Sequence, residues 1–208
     1  MATKKLWLII FLTLGLLIAL YFIFCFVGMR KVKTPQYEVV QRSKTIERRK
    51  YPPLLIAEVS VSGPRRQAIR NGFKTLADYI FKNNIPMTTP VSQHVPEKIA
   101  MTAPVLQQGN DQQWLIQFIM PEGYTLETLP KPVNTAITIK QQPAREVVAI
   151  RFSGLATDDL LSQQQQQLQR YIGENKIKVI NQPIYAFYNP PWTIPFLRRN
   201  EVQFEVLP

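Results

Sequence analysis

The hydrophobic pattern of this chain changes its period from one stretch to the next, and each change predicts an element. Leu6 to Val27 is almost wholly apolar and holds no charged residue. As a helix rising about 1.5 Å per residue, it covers the roughly 30 Å hydrocarbon core of a bilayer. Further on, Tyr37 to Gln41 and Thr45 to Lys50 read as short extended pieces, and Pro52-Pro53 separates them from the next strand. Leu54 to Ser62 is that predicted strand: Ile56, Val59 and Val61 supply apolar, β-branched positions, and Gly63-Pro64 ends the run. From Arg65 to Phe81 the period lengthens. Ile69, Phe73, Leu76, Ala77 and Ile80 recur at spacings of three and four, while Arg66, Arg70 and Lys74 form a basic stripe, so an amphipathic helix is expected with one face packed and the other wet. Gly72 lies inside that helix, where glycine is about 1 kcal/mol less favourable than alanine. Its presence implies that another group approaches the backbone closely there.

The second half repeats the first. Ile46 to Gly63 aligns without a gap on Ile137 to Gly154, with identities at Ile46/Ile137, Pro52/Pro143, Ser62/Ser153 and Gly63/Gly154. A helix follows each copy. The second opens with Thr157 as N-cap before Asp158 and Asp159, acids suited to a helix N-terminus, and runs on through Leu161, Leu168 and Ile172. Gln163 to Gln167 falls on its solvated face, glutamine being a good helix former. Two more strands are expected after each helix: Ile99 to Leu106 and Trp114 to Met120 in the first copy, Tyr185 to Tyr188 and Glu201 to Val206 in the second. The expected fold class is α+β, with two β-β-α-β-β repeats forming a pseudo-twofold antiparallel sheet or distorted barrel with two packed helices, plus an N-terminal transmembrane helix. In domain terms this divides the chain into an anchor at 1–28, a linker at 29–36 and a folded domain at 37–208, its repeat copies spanning about 46–121 and 137–206.

Charge and cysteine content refine this reading. The alternative to an anchor is a secretory signal peptide, whose shorter apolar region would precede a small-x-small cleavage site; Phe22-Ile23-Phe24 before Cys25 does not fit one. Basic residues flank both ends of the apolar run, Lys4 and Lys5 on one side and Arg30, Lys31 and Lys33 on the other, so the side of the membrane occupied by the domain stays open. The formal net charge is +11, and Arg30 to Lys74 carries twelve basic residues against Glu38, Glu47 and Glu58. Such a region beside an anchor suits anionic lipid headgroups, at about 1 kcal/mol per charge near the surface. Nucleic acid is not expected as a partner, since the aromatic residues sit in apolar strand patterns rather than among the basic ones. The single cysteine, Cys25, lies within the apolar run, which leaves no disulfide within the domain.

Most catalytic chemistry lacks its residues. With one histidine, His94, and one cysteine, neither a His/Cys zinc site nor a triad away from His94 can be assembled. Phosphate-cradling glycine loops and local carboxylate clusters are missing from the pattern. A non-enzymatic binding protein is the expectation that remains.

One motif carries more information than any other. Lys98-Ile99-Ala100-Met101-Thr102-Ala103-Pro104-Val105 contains a Met-Thr-x-Pro-Val core that also occurs fourteen residues earlier as Met87-Thr88-Thr89-Pro90-Val91. The run resembles the Lys-Ile-x-Met-Thr-Ala-Pro-Val strand of the SOUL haem-binding family. Phe118-Ile119-Met120-Pro121 is similar to that family's Phe-x-x-Pro strand end. Tyr185-Ala186-Phe187-Tyr188-Asn189-Pro190-Pro191, followed by Arg198-Arg199-Asn200-Glu201-Val202, resembles its tyrosine-proline loop and Arg-Asn-Glu-Val strand. The likeness extends from about Thr34 to the C-terminus.

The resemblance implies haem or another tetrapyrrole as cofactor, held for buffering or transfer at a membrane. It implies a pocket between the first helix of the domain and the loop before the last strand, with Ile69, Arg70 and Phe73 facing Tyr188 to Arg199. Trp192 and Phe196 would supply apolar walls there, and Arg70 with Arg198 or Arg199 would pair with propionates. Each residue also has a plainer reading: Phe73 and Met101 as core, Trp192 as a pin for its own loop, Arg199 bonded to backbone carbonyls. In some relatives a proposed axial histidine precedes the tyrosine matching Tyr51; this chain has Lys50 there. His94, in a polar loop, is the weak alternative ligand and reads equally as a surface histidine. The competing function is a membrane-tethered interaction or sensory module whose cleft takes another apolar ligand or a peptide helix.

Overall fold

The computed structural model describes residues 2–30, 32–82, 99–110, 112–180 and 182–207. An N-terminal helix, α1 (Ala2–Arg30), precedes β1 (Glu38–Ser43), β2 (Ile46–Tyr51), β3 (Leu54–Ser62), α2 (Arg65–Lys82), β4 (Val105–Gly109) and β5 (Gln113–Ile119). The second copy supplies β6 (Ile137–Gln142), β7 (Arg145–Phe152), α3 (Asp158–Glu174), β8 (Ile184–Phe187) and β9 (Asn200–Glu205). A short 3-10 turn at Pro195–Leu197 interrupts the loop between β8 and β9. Together the strands form one curled, antiparallel half-barrel sheet in the order β1-β2-β7-β9-β8-β4-β5-β3-β6.

That order displays the duplication. Leaving β1 aside as an added edge, the sheet is symmetric about the β8/β4 pair, and the first strand of each copy has crossed to the other copy's half. The register obeys the same symmetry: Ile46 of β2 pairs with Ile150 of β7, and their counterparts Ile137 of β6 and Val59 of β3 pair with one another. Gly63 and Gly154, which end the matched segments, have φ of 113° and 108°, a backbone region that a side chain strongly disfavours.

Period-two alternation sends one set of side chains to the helices and the other to the opposite face. Val59, Trp114, Ile116 and Phe118 pack with Leu76 and Ile80 of α2. Val148, Ile150, Val202 and Phe204 pack with Leu161, Leu168 and Ile172 of α3. On the far face, Ile56, Leu106, Ile119, Ile184, Ala186 and Tyr188 form a third cluster, which Val32 and Leu54 partly cover. Gly72 meets β5 closely, as its place in the helix implied: a Cβ there would stand 2.9 Å from Ile116 Cδ1. Thr157 caps α3 and accepts a hydrogen bond from the Leu160 amide.

The strand expected from Ile99 starts later, at Val105. Pro104 has no N–H to give a ladder, and the Ala103 amide donates instead to the Lys33 carbonyl at 2.9 Å. Lys33 and Thr102 form an isolated bridge, so the segment after α1 is stitched to the Met-Thr-Ala-Pro stretch. Among the described residues one helix is long and apolar enough to cross a membrane, Lys4–Phe22 within α1, and none of that window is buried.

Candidate functional site

The helices lie over the middle strands of their halves, α2 on β3 and β5 and α3 on β7 and β9. Between them lies the helix-side face of the central pair, β4 and β8, where Val105 and Gln107 are buried and Tyr185 and Phe187 half-buried. Pairing places Phe118 beside Val105 and Val105 beside Phe187, so an apolar row crosses β5, β4 and β8. Phe73 of α2 meets Phe118 edge-on, centroids 5.3 Å apart, and remains 37 % exposed. Ile69, one turn earlier, is half-buried, and Arg70 is exposed with no ion-pair partner among the described residues. At the α2 N-terminus Arg65 donates to Asp158 Oδ1 at 2.5 Å, and its guanidinium lies over the rings of Trp114 and Tyr185. That arginine ties the N-termini of the two helices together.

The loop between β8 and β9 divides the remaining expected residues among three environments. Trp192 and Phe196 are 59 % and 64 % exposed. Arg198 turns back on its own loop, donating to the Thr193 carbonyl at 2.8 Å and the Pro191 carbonyl at 2.5 Å. Tyr188 and Arg199 reach the far face of the sheet. The structure therefore brings Ile69, Arg70 and Phe73 together on α2, and Tyr188 with Arg199 on the opposite face. The backbone bonds weighed for Arg199 belong to its neighbour. His94 and the first Met-Thr-x-Pro-Val segment lie outside the described residues, as does Lys98. Lys50 sits on β2, which the strand order separates from β3 and β5, the strands that α2 packs on.

On the far face, Tyr188 and Arg199 join residues that sequence reasoning passed over. Glu201 has no exposure and Arg49 has 1 %. Arg49 donates to both Glu201 oxygens, at 2.7 and 3.1 Å, and to Glu47 at 2.7 Å. Arg199, Tyr188 and Gln203 donate to Glu201 at 2.9, 3.0 and 2.8 Å. Tyr37 lies under the Arg49 guanidinium, 4.5 Å from its ring centroid, and accepts from Arg199 at 3.2 Å. Burial by itself would raise the Glu201 carboxyl, but the hydrogen bonds and charge of Arg49, with Arg199, hold it below the ordinary carboxylate range. Burial also pushes Tyr188 well above an ordinary phenol, and the Glu201 charge adds to the push. Five donor contacts saturate a carboxylate that offers about four lone-pair sites, so this cluster braces the sheet and leaves no acceptor for a ligand. The Arg-Asn-Glu-Val motif marked Glu201 in the sequence, but nothing local showed that Arg49 would be its partner.

A concavity of about 660 Å³ opens beside the exposed loop; Arg42, Lys44, Arg151, Arg198, Phe152 and Phe196 contribute to its walls. Among the described residues no three His, Cys, Asp or Glu side chains converge as a metal site would require.

A duplicated strand-helix unit, fused into one curled sheet with two helices packed on it, defines the class of fold. Within that class the chain belongs to the SOUL heme-binding protein family, whose model matches residues 32–205. The membership suggests haem or tetrapyrrole binding. No curated protein matches the chain. Among solved structures it is similar to the EcmrR C-terminal domain, at 14 % identity over 82 % of this chain and 98 % of that one, with a TM-score of 0.53. EcmrR in its complex with DNA gives 14 % identity, 90 % and 64 % coverage and a TM-score of 0.55. An uncharacterized conserved protein from Listeria innocua gives 13 %, 79 % and 93 %, and 0.50. At these identities the likeness is one of fold alone.

Proposed function

We propose that this protein binds haem or a related tetrapyrrole, without catalysis, between α2 and α3, for buffering or transfer at a membrane in which α1 is the anchor. The observation that carries the reading is the apolar row Phe118, Val105 and Phe187 beside a Phe73 that stays partly exposed. A flat apolar ligand with carboxylates at its rim needs such a floor and a few cations. Arg70 supplies a cation with no partner among the described residues, and a charge-assisted hydrogen bond from it would hold a propionate.

The described residues fit the ring and its carboxylates better than they fit iron. The sulfur donors on the helix side among the described residues, Met101 and Met120, are taken up in the α2 core cluster. Bound iron would supply redox or ligand chemistry. This chain's own contribution is an apolar surface and the placement of charge.

Titration of the full-length chain in lipid nanodiscs with ferric haem and with iron-free protoporphyrin tests this. Both ligands should saturate at one equivalent with similar affinity. Arg70→Glu should weaken both about tenfold, since a hydrogen bond to a charged group contributes about 1.5–3 kcal/mol, whereas His94→Ala should leave both unchanged. Nonsaturating binding, or haem binding abolished by His94→Ala, would overturn the proposal. The competing reading, a tethered interaction or sensory module for another apolar ligand, draws on Lys50 at the histidine position and would be favoured by the first of those results. For the anchor, membranes washed with alkaline carbonate should retain the full-length chain; its release to the supernatant, or a mature N-terminus beyond Gly28, would exclude it.

A further inference from the structure

The loop between β8 and β9 carries an arrangement that tetrapyrrole binding does not use. Its apolar side chains point outward: Trp192, Phe196 and Leu197 are 59 %, 64 % and 37 % exposed. Leu155, 54 % exposed, adjoins them through Gly154, whose amide donates to the Pro195 carbonyl at 2.9 Å. The loop is held rather than loose. Pro190, Pro191 and Pro195 restrict its backbone, and the two bonds from Arg198 to its own carbonyls close it. Side chains fixed in this way lose little conformational freedom when an apolar phase covers them.

Cations adjoin this apolar tip. Arg42, Lys44 and Arg151 share the 660 Å³ concavity with Phe196 and Leu197. Neither Lys44 nor Arg151 has an ion-pair partner among the described residues. Glu47, the acid in the same wall, is taken by Arg42 at 2.8 Å and Arg49 at 2.7 Å. Aromatic and aliphatic groups next to unpaired cations match the boundary between acyl chains and anionic headgroups.

A contact with α1 sets the depth. Tyr21 donates to the Trp192 carbonyl at 2.9 Å. Tyr21 lies six residues before Val27, the end of the apolar run, which along a helix is about 9 Å. A loop that touches the helix at that level reaches the depth at which interfacial side chains bury, roughly 5–10 Å below the headgroups.

We propose that the loop from Pro190 to Arg198 is a second membrane contact. Trp192, Phe196 and Leu197 insert beside α1 into the leaflet on the domain's side, while Lys44 and Arg151 hold the phosphates of anionic lipids. The domain is then pressed to the bilayer in one orientation rather than swinging on its linker. The proposal rests on α1 being the anchor, and the chain contains a separate reporter for each: Trp7 lies within α1 and Trp192 in the loop, while Trp114 is buried.

Full-length protein reconstituted in vesicles of phosphatidylcholine and phosphatidylglycerol, with ordinary or brominated acyl chains, tests it through tryptophan quenching. Trp7→Phe protein should retain a bromine-quenched component, and Trp7→Phe/Trp192→Phe protein should lose it. Lys44→Asn with Arg151→Gln should shrink several-fold the extra Trp192 quenching that phosphatidylglycerol adds over phosphatidylcholine alone; asparagine tolerates the φ of 52° at position 44. If Trp192→Phe protein is quenched but Trp7→Phe protein is not, the anchor stands, the loop stays in water and the proposal fails, leaving the patch to a protein partner. If neither is quenched, the anchor reading fails and takes this one with it.

Discussion

A carboxylate without access to water is tolerated in a sheet only while cations and hydrogen-bond donors hold it, and Glu201 has Arg49, Arg199, Tyr188 and Gln203 around it. Removing it would strand two arginines. Breaking one partner of a buried pair costs about 3–5 kcal/mol, so Glu201→Ala should lower the unfolding free energy of the domain by that order in chemical denaturation. The pH dependence has a definite sign. Because the folded Glu201 pKa is depressed, its stabilisation is present above the unfolded value of about 4.3 and is lost as pH falls through the folded value. Tyr188 acts oppositely: its raised pKa gives stability present below about pH 10 and lost as pH rises further. Denaturation midpoints measured across pH should fall at both ends, and Tyr188→Phe should remove part of the alkaline loss. At this scale the sequence marked Tyr188 and Arg199 as chemically active. It did not show that both would be taken up by a Glu201 carboxylate closed on Arg49, about 150 positions earlier, because pairing across a sheet has no local trace.

Elements were more legible, since each is set by a periodicity within a few residues of itself. The α2 helix, the Leu54–Ser62 strand and the Thr157 cap stand as the pattern implied, but of the α2 stripe only Leu76 and Ile80 are fully buried, while Phe73 stays 37 % exposed. Gly72 shows how far such reasoning extends: its helix penalty announced a close approach, and the structure identifies the approaching group as the buried Ile116. Gly72→Ala gains roughly 1 kcal/mol of helix propensity. It also drives a methyl to 2.9 Å from two carbons of a fully buried, β-branched side chain, an overpacking that costs about 1–3 kcal/mol. The variant should therefore melt below the parent by calorimetry. A higher melting temperature would show that Ile116 can move aside. The late start of β4 escaped the pattern because the Ala103 amide is claimed by Lys33, some seventy positions upstream.

At the scale of the molecule, duplication accounts for the cooperative unit. Since β2 pairs with β7 and β6 with β3, each copy lends its first strand to the other and neither owns a complete sheet. A chain truncated to Thr34–Pro130 would expose the outer edge of β3 and leave β2 without its β7 partner and β4 without β8. It should show no cooperative thermal transition by circular dichroism, while a chain beginning at Thr34 and running to the C-terminus should. Cooperative melting of the half would refute a fold completed by exchange.

Side-chain periodicity, the gapless match of Ile46–Gly63 to Ile137–Gly154 and the Met-Thr-Ala-Pro-Val run determined from sequence alone the elements, the duplication and the family. The tertiary structure decided what these do to one another. Crossing of the first strands, closure of Arg49 on Glu201, and the turning of Trp192 and Phe196 outward while Arg198 folds back all depend on which distant residues the sheet brings within bonding distance. Periodicity fixes the direction a side chain takes from its own backbone, and only the assembled sheet fixes what it meets there.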